Sequence, residues 1–494
     1  MLLLIHGHDF HYETENLCRV FFPYETIRVR TQADGEDDAL VARACIEPLK
    51  GGEAYFASLT MGNHVETAED YADTVLDPAG RERRLVLVLF DVLTRFTGYR
   101  PAWGILTGVH PIKLFRSVAQ ASSPEEAVRY FTDHLLVTPQ KAEMARRTAE
   151  VQEPFIRASG ENSFSLYASV PFCPTRCSYC SFVSQTVERS ARLIPEYVEK
   201  LCEELAYTAR VTKEVGLKLD SVYIGGGTPT TFSAEQLART IQMIRSHFDL
   251  SDCKEFTVEA GRPDTITREK LIALRDNGVT RISINPQSLN DEVLRRIGRA
   301  HSAAQTIEAF ELARSLGFDN INMDLIAGLP GDTPQTFRET LDAVLALGAE
   351  NVTVHALALK HSARMMHQED IEQTHRDGAS AAAMIDYANE ALTAAGYLPY
   401  YLYRQSRMVG NLENTGWSKP GYVCAYNIYT MDETQTVVAC GAGGVTKVRS
   451  PYSERLERIF NFKYSYEYVS RFSELLTRKD GIKTLYEQFR QQLS

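Results

Sequence analysis

The segment VPFCPTRCSYCSF, residues 170–182, places Cys173, Cys177 and Cys180 within eight positions at C-x3-C-x2-C spacing. Thiolates are metal ligands, and a short loop bearing three of them can face one inorganic centre without a fold of its own. A tetrahedral zinc site takes four ligands, usually in two pairs, and a disulfide framework takes an even number. A [4Fe–4S] cube normally takes four thiolates. Held by three, it keeps one iron open for a small molecule carrying an amine and a carboxylate. Pro174 stiffens the loop, and no nearby acidic residue opposes thiolate formation. Spacing alone leaves two other readings open: a zinc site completed by Cys202, Cys253 or a histidine, and three unrelated thiols.

Other residues bear chemistry downstream. GGGTPT (225–230) lets the backbone at Gly225, Gly226 and Gly227 approach a ligand closely and offer it N–H groups. The chain has no G-x4-G-K-[ST], so a nucleotide P-loop is not supported. Glu259, in FTVEAG, suits a ribose hydroxyl or an amine, or else caps the following turn. Tyr167 precedes Cys173 by six residues, although a lone tyrosine in a strand is more often core packing. Asp324 interrupts the apolar run INMDLIAG, where a charge needs a partner. In the tail, Cys440 lies in the glycine-rich turn ACGAGG (439–444). His355, His361 and His367 are spare ligand candidates, and Lys360, Arg404, Arg407 and Lys419 are cations able to bind carboxylates, although an ordinary solvated surface is the safer reading of both sets.

The elements that must position these residues are legible from about 165 to 358. Strand candidates SLYASVPF, SVYIGGG, FTVEAG, RISINPQS, INMDLIAG and NVTVHALA alternate with helix candidates at 233–248, 268–278, 302–317 and 333–348. Several of these helices open on Ser or Thr and close at Gly. Six β/α units predict a parallel sheet, either a partial barrel or an open doubly wound one, with ligands at the carboxyl ends of its strands. The first 160 residues predict short strands, an N-terminal buried strand, a helix at 81–96, a turn-rich segment at 97–114 and a helical stretch over 122–152. After 395 the pattern predicts aromatic-rich strands or loops and a helical tail. The expected domains are therefore 1–160, 161–395 and 396–494.

Bulk properties agree with a large globular chain. Of 494 residues, 44% are hydrophobic and 24% charged, enough to bury a core without cross-links. The formal net charge of −11 argues against a general nucleic-acid or bilayer binder while leaving room for a local basic pocket. The longest aliphatic run, LVLVLF, is far too short to span a membrane, and no targeting segment stands out. Nine cysteines, an odd number, point to a reducing compartment, and a cytoplasmic location is expected.

The C-x3-C-x2-C motif, with Tyr179 before its third cysteine, resembles the signature of radical S-adenosylmethionine (SAM) enzymes. GGGTPT, FTVEAGRPD, RISINPQSLNDEVLRRIGRAH and INMDLIAGLPGDT resemble the oxygen-independent coproporphyrinogen III dehydrogenase superfamily. LTGVHPIK, EAGRPD, SINPQS and YLYRQSRMVGNLEN are most similar to its HemZ-type branch. The resemblance implies an α/β fold: a partial (β/α)6 radical SAM barrel, an N-terminal α+β accessory domain and a C-terminal α+β extension. It implies a [4Fe–4S] cluster on Cys173, Cys177 and Cys180. SAM would contact Tyr167, Tyr179, Gly226, Gly227, Thr228 and Glu259, and a second SAM or substrate-side pocket would be lined by Gln287, Arg299 and Asp324. The implied reaction is oxidative decarboxylation of coproporphyrinogen III propionates to vinyl groups, giving protoporphyrinogen IX, with a low-potential donor such as flavodoxin or ferredoxin.

Three departures accompany the resemblance, the first being that the N-terminal arm that guards the porphyrinogen in characterised members is not recognisable in residues 1–160. Coproporphyrinogen dehydrogenases carry a fourth cysteine two positions after the third; this chain has Phe182 there, as do the related haem chaperones. CAYNIYTM (424–431) resembles a C-x-H-N-x-x-Y-W element with Tyr426 replacing the histidine. The missing histidine weakens a haem-ligand role in the tail, whereas Phe182 motivates the alternative, a haem-delivery protein without decarboxylase activity whose partner is a haem-type molecule.

Overall fold

The computed structural model describes residues 1–32, 39–358, 371–405 and 408–491. The chain divides into two compact units, one of residues 1–146, 366–382 and 403–413, the other of 147–365, 383–402 and 414–494.

In the first unit, β1 (Leu2–His6), β2 (Arg28–Arg30), β3 (Leu40–Leu49), β4 (Gly52–Met61) and β5 (His64–Ala72) form a sheet in the order β2-β1-β3-β4-β5. β1 is parallel to β2 and β3, and β3 to β5 form an antiparallel meander. Alternate residues of β3, namely Leu40, Ala42, Ala44 and Ile46, are buried. They join a core with Leu17 and Phe21 of the helix His11–Phe21 and Leu85, Leu89 and Leu93 of the helix Pro78–Thr97. The latter is the helix expected at 81–96; Asp77 caps it by accepting from the Gly80 N–H.

Two expectations for this region need correction. The strands are not all short, since β3, β4 and β5 run nine or ten residues. Their alternation is written largely in alanine, cysteine and charge, which carries little β signal. The stretch 122–152 is not one helix. It breaks after a helical turn at Tyr130–His134 and resumes at Pro139. Backbone from 102–105 replaces the missing helical bonds, with Ile105 N–H donating to Leu135 O and Thr138 N–H to Ala102 O, both at 2.9 Å.

The second unit holds the expected β/α rhythm. All six strands appear: β6 (Ser163–Val170), then, beyond the short pair β7 (Phe172–Cys173) and β8 (Gln185–Thr186), β9 (Lys218–Gly226), β10 (Glu255–Gly261), β11 (Arg281–Ile284), β12 (Ile321–Ala327) and β13 (Asn351–Ala356). They pair in parallel, in chain order. β14 (Leu398–Tyr403), β15 (Asn414–Ser418), β16 (Thr436–Cys440), β17 (Val445–Arg449) and β18 (Leu456–Phe460) extend the sheet to eleven strands, in the order β14-β15-β13-β12-β11-β10-β9-β6-β16-β17-β18. The tail thus flanks the six-stranded core on both sides, and β16 adds a further parallel strand against β6.

The helices at 234–247, 303–315 and 334–347 all start with capping boxes, on Ser233, Ser302 and Thr333. One sheet face is apolar, with Leu166, Val222, Phe256, Val258 and Ile282 buried. Side chains on the other face come into register as Tyr167 beside Tyr223 and Glu259 beside Ser283. A parallel strand covered on both sides is normally apolar throughout, so this polar row marks the face that carries chemistry.

Candidate active site

The cysteine loop leaves the carboxyl end of β6 and is fastened at both edges. Cys173 pairs with Thr186 in the β7–β8 bridge. On the other side, Ser178 N–H donates to Ile297 O and Thr175 Oγ1 to Gly298 O, each at 3.0 Å. Cys177 is buried while Cys173 and Cys180 are half-buried. Burial pushes the Cys173 and Cys180 thiols up; hydrogen bonds from Ser184 and Thr228 to Cys173, and from the Phe182 backbone to Cys180, oppose it.

Thr228 Oγ1 lies 3.6 Å from the Cys173 sulfur, and Arg262 Nη1 lies 4.0 Å from that of Cys177. Cys253 sits at the opposite, amino end of β10, its thiol donating to Glu255 O, and Cys202 is buried on the helix Ile194–Val215. Neither sits by the cysteine loop as a fourth ligand. Among the described residues no three His, Cys, Asp or Glu side chains converge on a site for one ion. A cubane takes each thiolate on a separate iron, so its ligands stand farther apart than those of zinc.

The glycine motif closes over the same end of the sheet. Gly227 N–H donates to Val170 O at 2.8 Å and Thr228 N–H to Phe172 O at 2.7 Å. Gly226 has φ +111°, open to glycine and strained for other residues. A Cβ at Gly225 would come within 2.9 Å of Glu259 Cδ. Glu259 stands below it, with Tyr223 Oη donating to Oε1 at 2.7 Å. Burial, with a further push from Asp324, raises its carboxyl to about 7 against the hydrogen bond from Tyr223.

Tyr167 stacks beside Tyr223 with ring centroids 6.3 Å apart. Tyr167, Gly226, Gly227, Thr228 and Glu259 lie in a single strand-end neighbourhood.

Arg299 reaches the cysteine loop through Tyr179, and Gln287 meets Asp324 across the backbone. Gln287 has φ +67°, uncommon for a residue with a Cβ, and bridges β12 through its N–H to Asp324 O at 2.9 Å. Asp324 finds its expected partner in Asn322 Nδ2, 2.7 Å away. Arg299 is buried and donates to Asn285 O at 2.7 Å and to Tyr179 Oη at 3.2 Å. Gln287 Oε1 and Arg299 Nε are buried without a hydrogen-bond partner. Buried polar atoms are rarely left so, and both suit a polar ligand. Three thiols on a short loop, a glycine cradle that a Cβ would fill, and these two orphaned atoms fit a cluster together with SAM.

Sequence reasoning missed two residues at this end. Arg262, the first residue after β10, grips Asp264 through Nε and Nη2 at 2.9 and 2.7 Å, and Thr175 through Nη1 at 2.9 Å. His301 is buried; burial and the positive charges of Arg299 and Arg262 lower it to about 4, so it is neutral. A charged residue directly after a strand of such a sheet was the available signal for Arg262.

The other candidates have local partners or fall outside the described residues. Arg404 is not on a solvated surface. It is 3% exposed, lies 5.6 Å over the Trp103 ring, and donates to the backbone at Leu106 and Asn411. Lys419 donates to Gly348 O at 2.8 Å, closing a helix C-terminus. Cys440 faces Thr208 on the outer helix, 3.3 Å away. His355 lies half-buried in β13, whereas Lys360, His361, His367 and Arg407 fall outside the described residues. No described helix is long and apolar enough to cross a membrane.

Comparison with known proteins places these features. Residues 167–344 match the radical SAM superfamily. The oxygen-independent coproporphyrinogen-III oxidase-like protein HemZ of Bacillus subtilis (strain 168) is 37% identical over 399 residues, 79% of each chain. The haem chaperone HemW of the same organism is 39% identical over 197 residues, 40% of this chain and 51% of its own. The solved structure of coproporphyrinogen III oxidase (HemN) from Escherichia coli, a radical SAM enzyme, aligns with 66% of this chain and 73% of its own at 23% identity, with a TM-score of 0.49. Radical SAM proteins bind a [4Fe–4S] cluster and SAM. The chain belongs to the radical SAM superfamily, in the branch of oxygen-independent coproporphyrinogen-III oxidase-like proteins that includes HemZ.

Proposed function

We propose that the chain is a radical SAM oxidoreductase of porphyrin biosynthesis, converting coproporphyrinogen III to protoporphyrinogen IX. The observation that carries this reading is the convergence, at one end of one sheet, of the three-thiol loop, the glycine cradle with Glu259, and the Gln287–Arg299–Asp324 set. When bound, the cluster and SAM supply an electron and a carbon radical strong enough to take hydrogen from an unactivated C–H bond.

Cys173, Cys177 and Cys180 hold the cluster, and Arg262 sets positive charge against Cys177. Gly226, Gly227 and Thr228 offer backbone to the methionyl end, while Tyr167 and Glu259 hold the adenosyl or amine side. Arg299 stays charged: burial opposes this, but Tyr179 and Cys177 more than offset it. It faces the substrate side together with Gln287 and Asp324. Each propionate loses CO2, one hydrogen atom, which the carbon radical would take, and one electron, which would pass to a one-electron acceptor, to become a vinyl group. A low-potential carrier such as flavodoxin or ferredoxin supplies electrons in the cytoplasm.

The test is anaerobic incubation with SAM, reductant and coproporphyrinogen III, read by mass spectrometry. Deoxyadenosine and vinyl products together support the proposal, and loss of neither propionate nor SAM overturns it.

A second reading, haem delivery without decarboxylation, is favoured by Phe182, which is 67% exposed beside Cys180, and by the likeness to HemW. Stoichiometric haem on the purified protein, with SAM cleavage uncoupled from porphyrinogen, selects it.

A further inference from the structure

Three tyrosines from three separate elements meet on the polar face of the sheet. Tyr167 on β6 and Tyr223 on β9 are register partners. Tyr426 enters from the tail helix Ala425–Asp432 and stacks on Tyr223, with centroids 4.4 Å apart and planes 20° from parallel. It lies 6.3 Å from Tyr167 at 14°.

The tail helix is fixed from the foot of the same sheet. Glu255, the first residue of β10, accepts from the N–H groups of Ala425 and Tyr426 at 2.9 and 3.0 Å and from the Cys424 thiol at 3.2 Å. Asn427 Nδ2 donates to Tyr400 Oη at 3.0 Å. Tyr426 is therefore held on one side and presses on Tyr223 with the other. Tyr223 spends its only hydroxyl proton on Glu259.

Space above the pair is closed as well. A Cβ at Gly225 would stand 2.8 Å from Tyr223 Cε1 and 2.9 Å from Glu259 Cδ. Ring and carboxylate thus have little freedom except along the stack, and the stack ends on Tyr426.

We propose that Tyr426 is a positioning residue of the SAM site, its ring fixing Tyr223 and, through Tyr223, the orientation and charge state of Glu259. The proposal rests on the reading that Glu259 binds SAM. It gives the tail helix a part in cofactor binding that its distance along the chain conceals. The charged and titratable groups facing Glu259 are Tyr223 on β9, Tyr167 on β6, Arg281 on β11, Asp324 on β12 and Tyr426 on the tail helix; the Gly226 N–H also faces it. Only the tail helix is absent from the six-stranded core.

The test measures SAM dissociation constants on the reconstituted protein by equilibrium dialysis from pH 6 to 8.5. Y426F keeps the ring and is expected within about twofold of wild type with the same pH midpoint. Y426L is expected to weaken SAM about tenfold, the size of one good ring stack, and to move the midpoint. Y223F, which keeps the stack and removes the hydrogen bond, is expected to move the midpoint too, and it serves if Y426L fails to fold. In an E259Q background neither change should weaken binding further.

Wild-type affinity and midpoint in folded Y426L overturn the proposal, as does an equal loss with and without Glu259. When Y426L cannot be folded, an unmoved midpoint in Y223F overturns it. A different result, E259Q binding SAM as wild type does, sinks the reading of Glu259 itself and the proposal with it.

Discussion

Arg262 Nη1 stands 4.0 Å from the Cys177 sulfur while the same guanidinium is clamped on both oxygens of Asp264 at 2.9 and 2.7 Å. The arginine is buried, so its charge is poorly screened, and Asp264 fixes its aim. Cluster potentials respond to net charge and to hydrogen bonds on sulfur. Arg262→Gln is therefore expected to make the cluster harder to reduce, lowering its midpoint potential, while Asp264→Asn keeps the arginine but removes its counter-charge and should shift the potential upward. A redox titration followed by electron paramagnetic resonance on the reconstituted protein measures both. Equal potentials in wild type and Arg262→Gln would remove this role.

Gly227 has no room for a side chain. A Cβ there would lie 2.6 Å from Phe172 O and 2.8 Å from Val170 O, backbone atoms of the segment entering the cysteine loop. Gly227→Ala must therefore move the glycine motif away from that loop. The expected result is SAM binding weakened by about tenfold or more, comparable to losing a charge-assisted hydrogen bond. Iron content should also fall. Dialysis with labelled SAM and iron analysis check the two effects.

How far the sequence carried these features depends on how local each one is. The six core strands and their capped helices are local patterns, and Ser233, Ser302 and Thr333 cap where their spacing predicts. The cysteine loop and Glu259 were visible because strand ends focus ligands. β3 to β5 were obscured because Ala42, Ala44 and Ala57 form a buried face without bulky side chains. The break near Leu136 was invisible because its cause lies about thirty residues upstream, at Ala102–Ile105. Arg404 reads as a solvated cation or a ligand because burial is not written locally; only the fold shows its two terminal nitrogens donating to backbone carbonyls. Tyr426 was singled out for what it replaces, whereas its contact with Tyr223 depends on a tail that returns to the sheet.

Within the first unit, stability depends on a buried ion pair. Glu413 accepts from Lys141 Nζ at 2.6 Å and from Trp103 Nε1 at 2.8 Å, with both charged side chains almost fully buried. Burial opposes ionisation, yet Lys141 and the two hydrogen bonds hold the Glu413 carboxyl below its ordinary range. A carboxyl lowered by folding contributes stability above its unfolded value and loses it as pH falls through the folded one. Glu413→Gln removes the carboxylate opposite the buried Lys141 ammonium, and is expected to cost about 3–5 kcal/mol at neutral pH. Urea unfolding at pH 7 and at pH 3 checks this, and the gap between wild type and variant should narrow at the lower pH.

The Glu259 carboxyl is shifted in the opposite direction. Burial and the nearby Asp324 lift its carboxyl to about 7, so it is largely protonated at pH 6 and largely ionised at pH 8. The ligand proposed for it carries an ammonium group and ribose hydroxyls, which favour the carboxylate over the acid. SAM should therefore bind more tightly as pH rises through about 7, and binding should draw the carboxyl down. In Glu259→Gln the affinity should be lower and flat over the same interval, because the group that titrates is gone. Calorimetric titrations in two buffers of different ionisation enthalpy supply a separate check. Wild type should release protons on binding SAM at pH 6.5, and the variant should release none. If the variant's proton release matched that of wild type, a group other than Glu259 would be titrating.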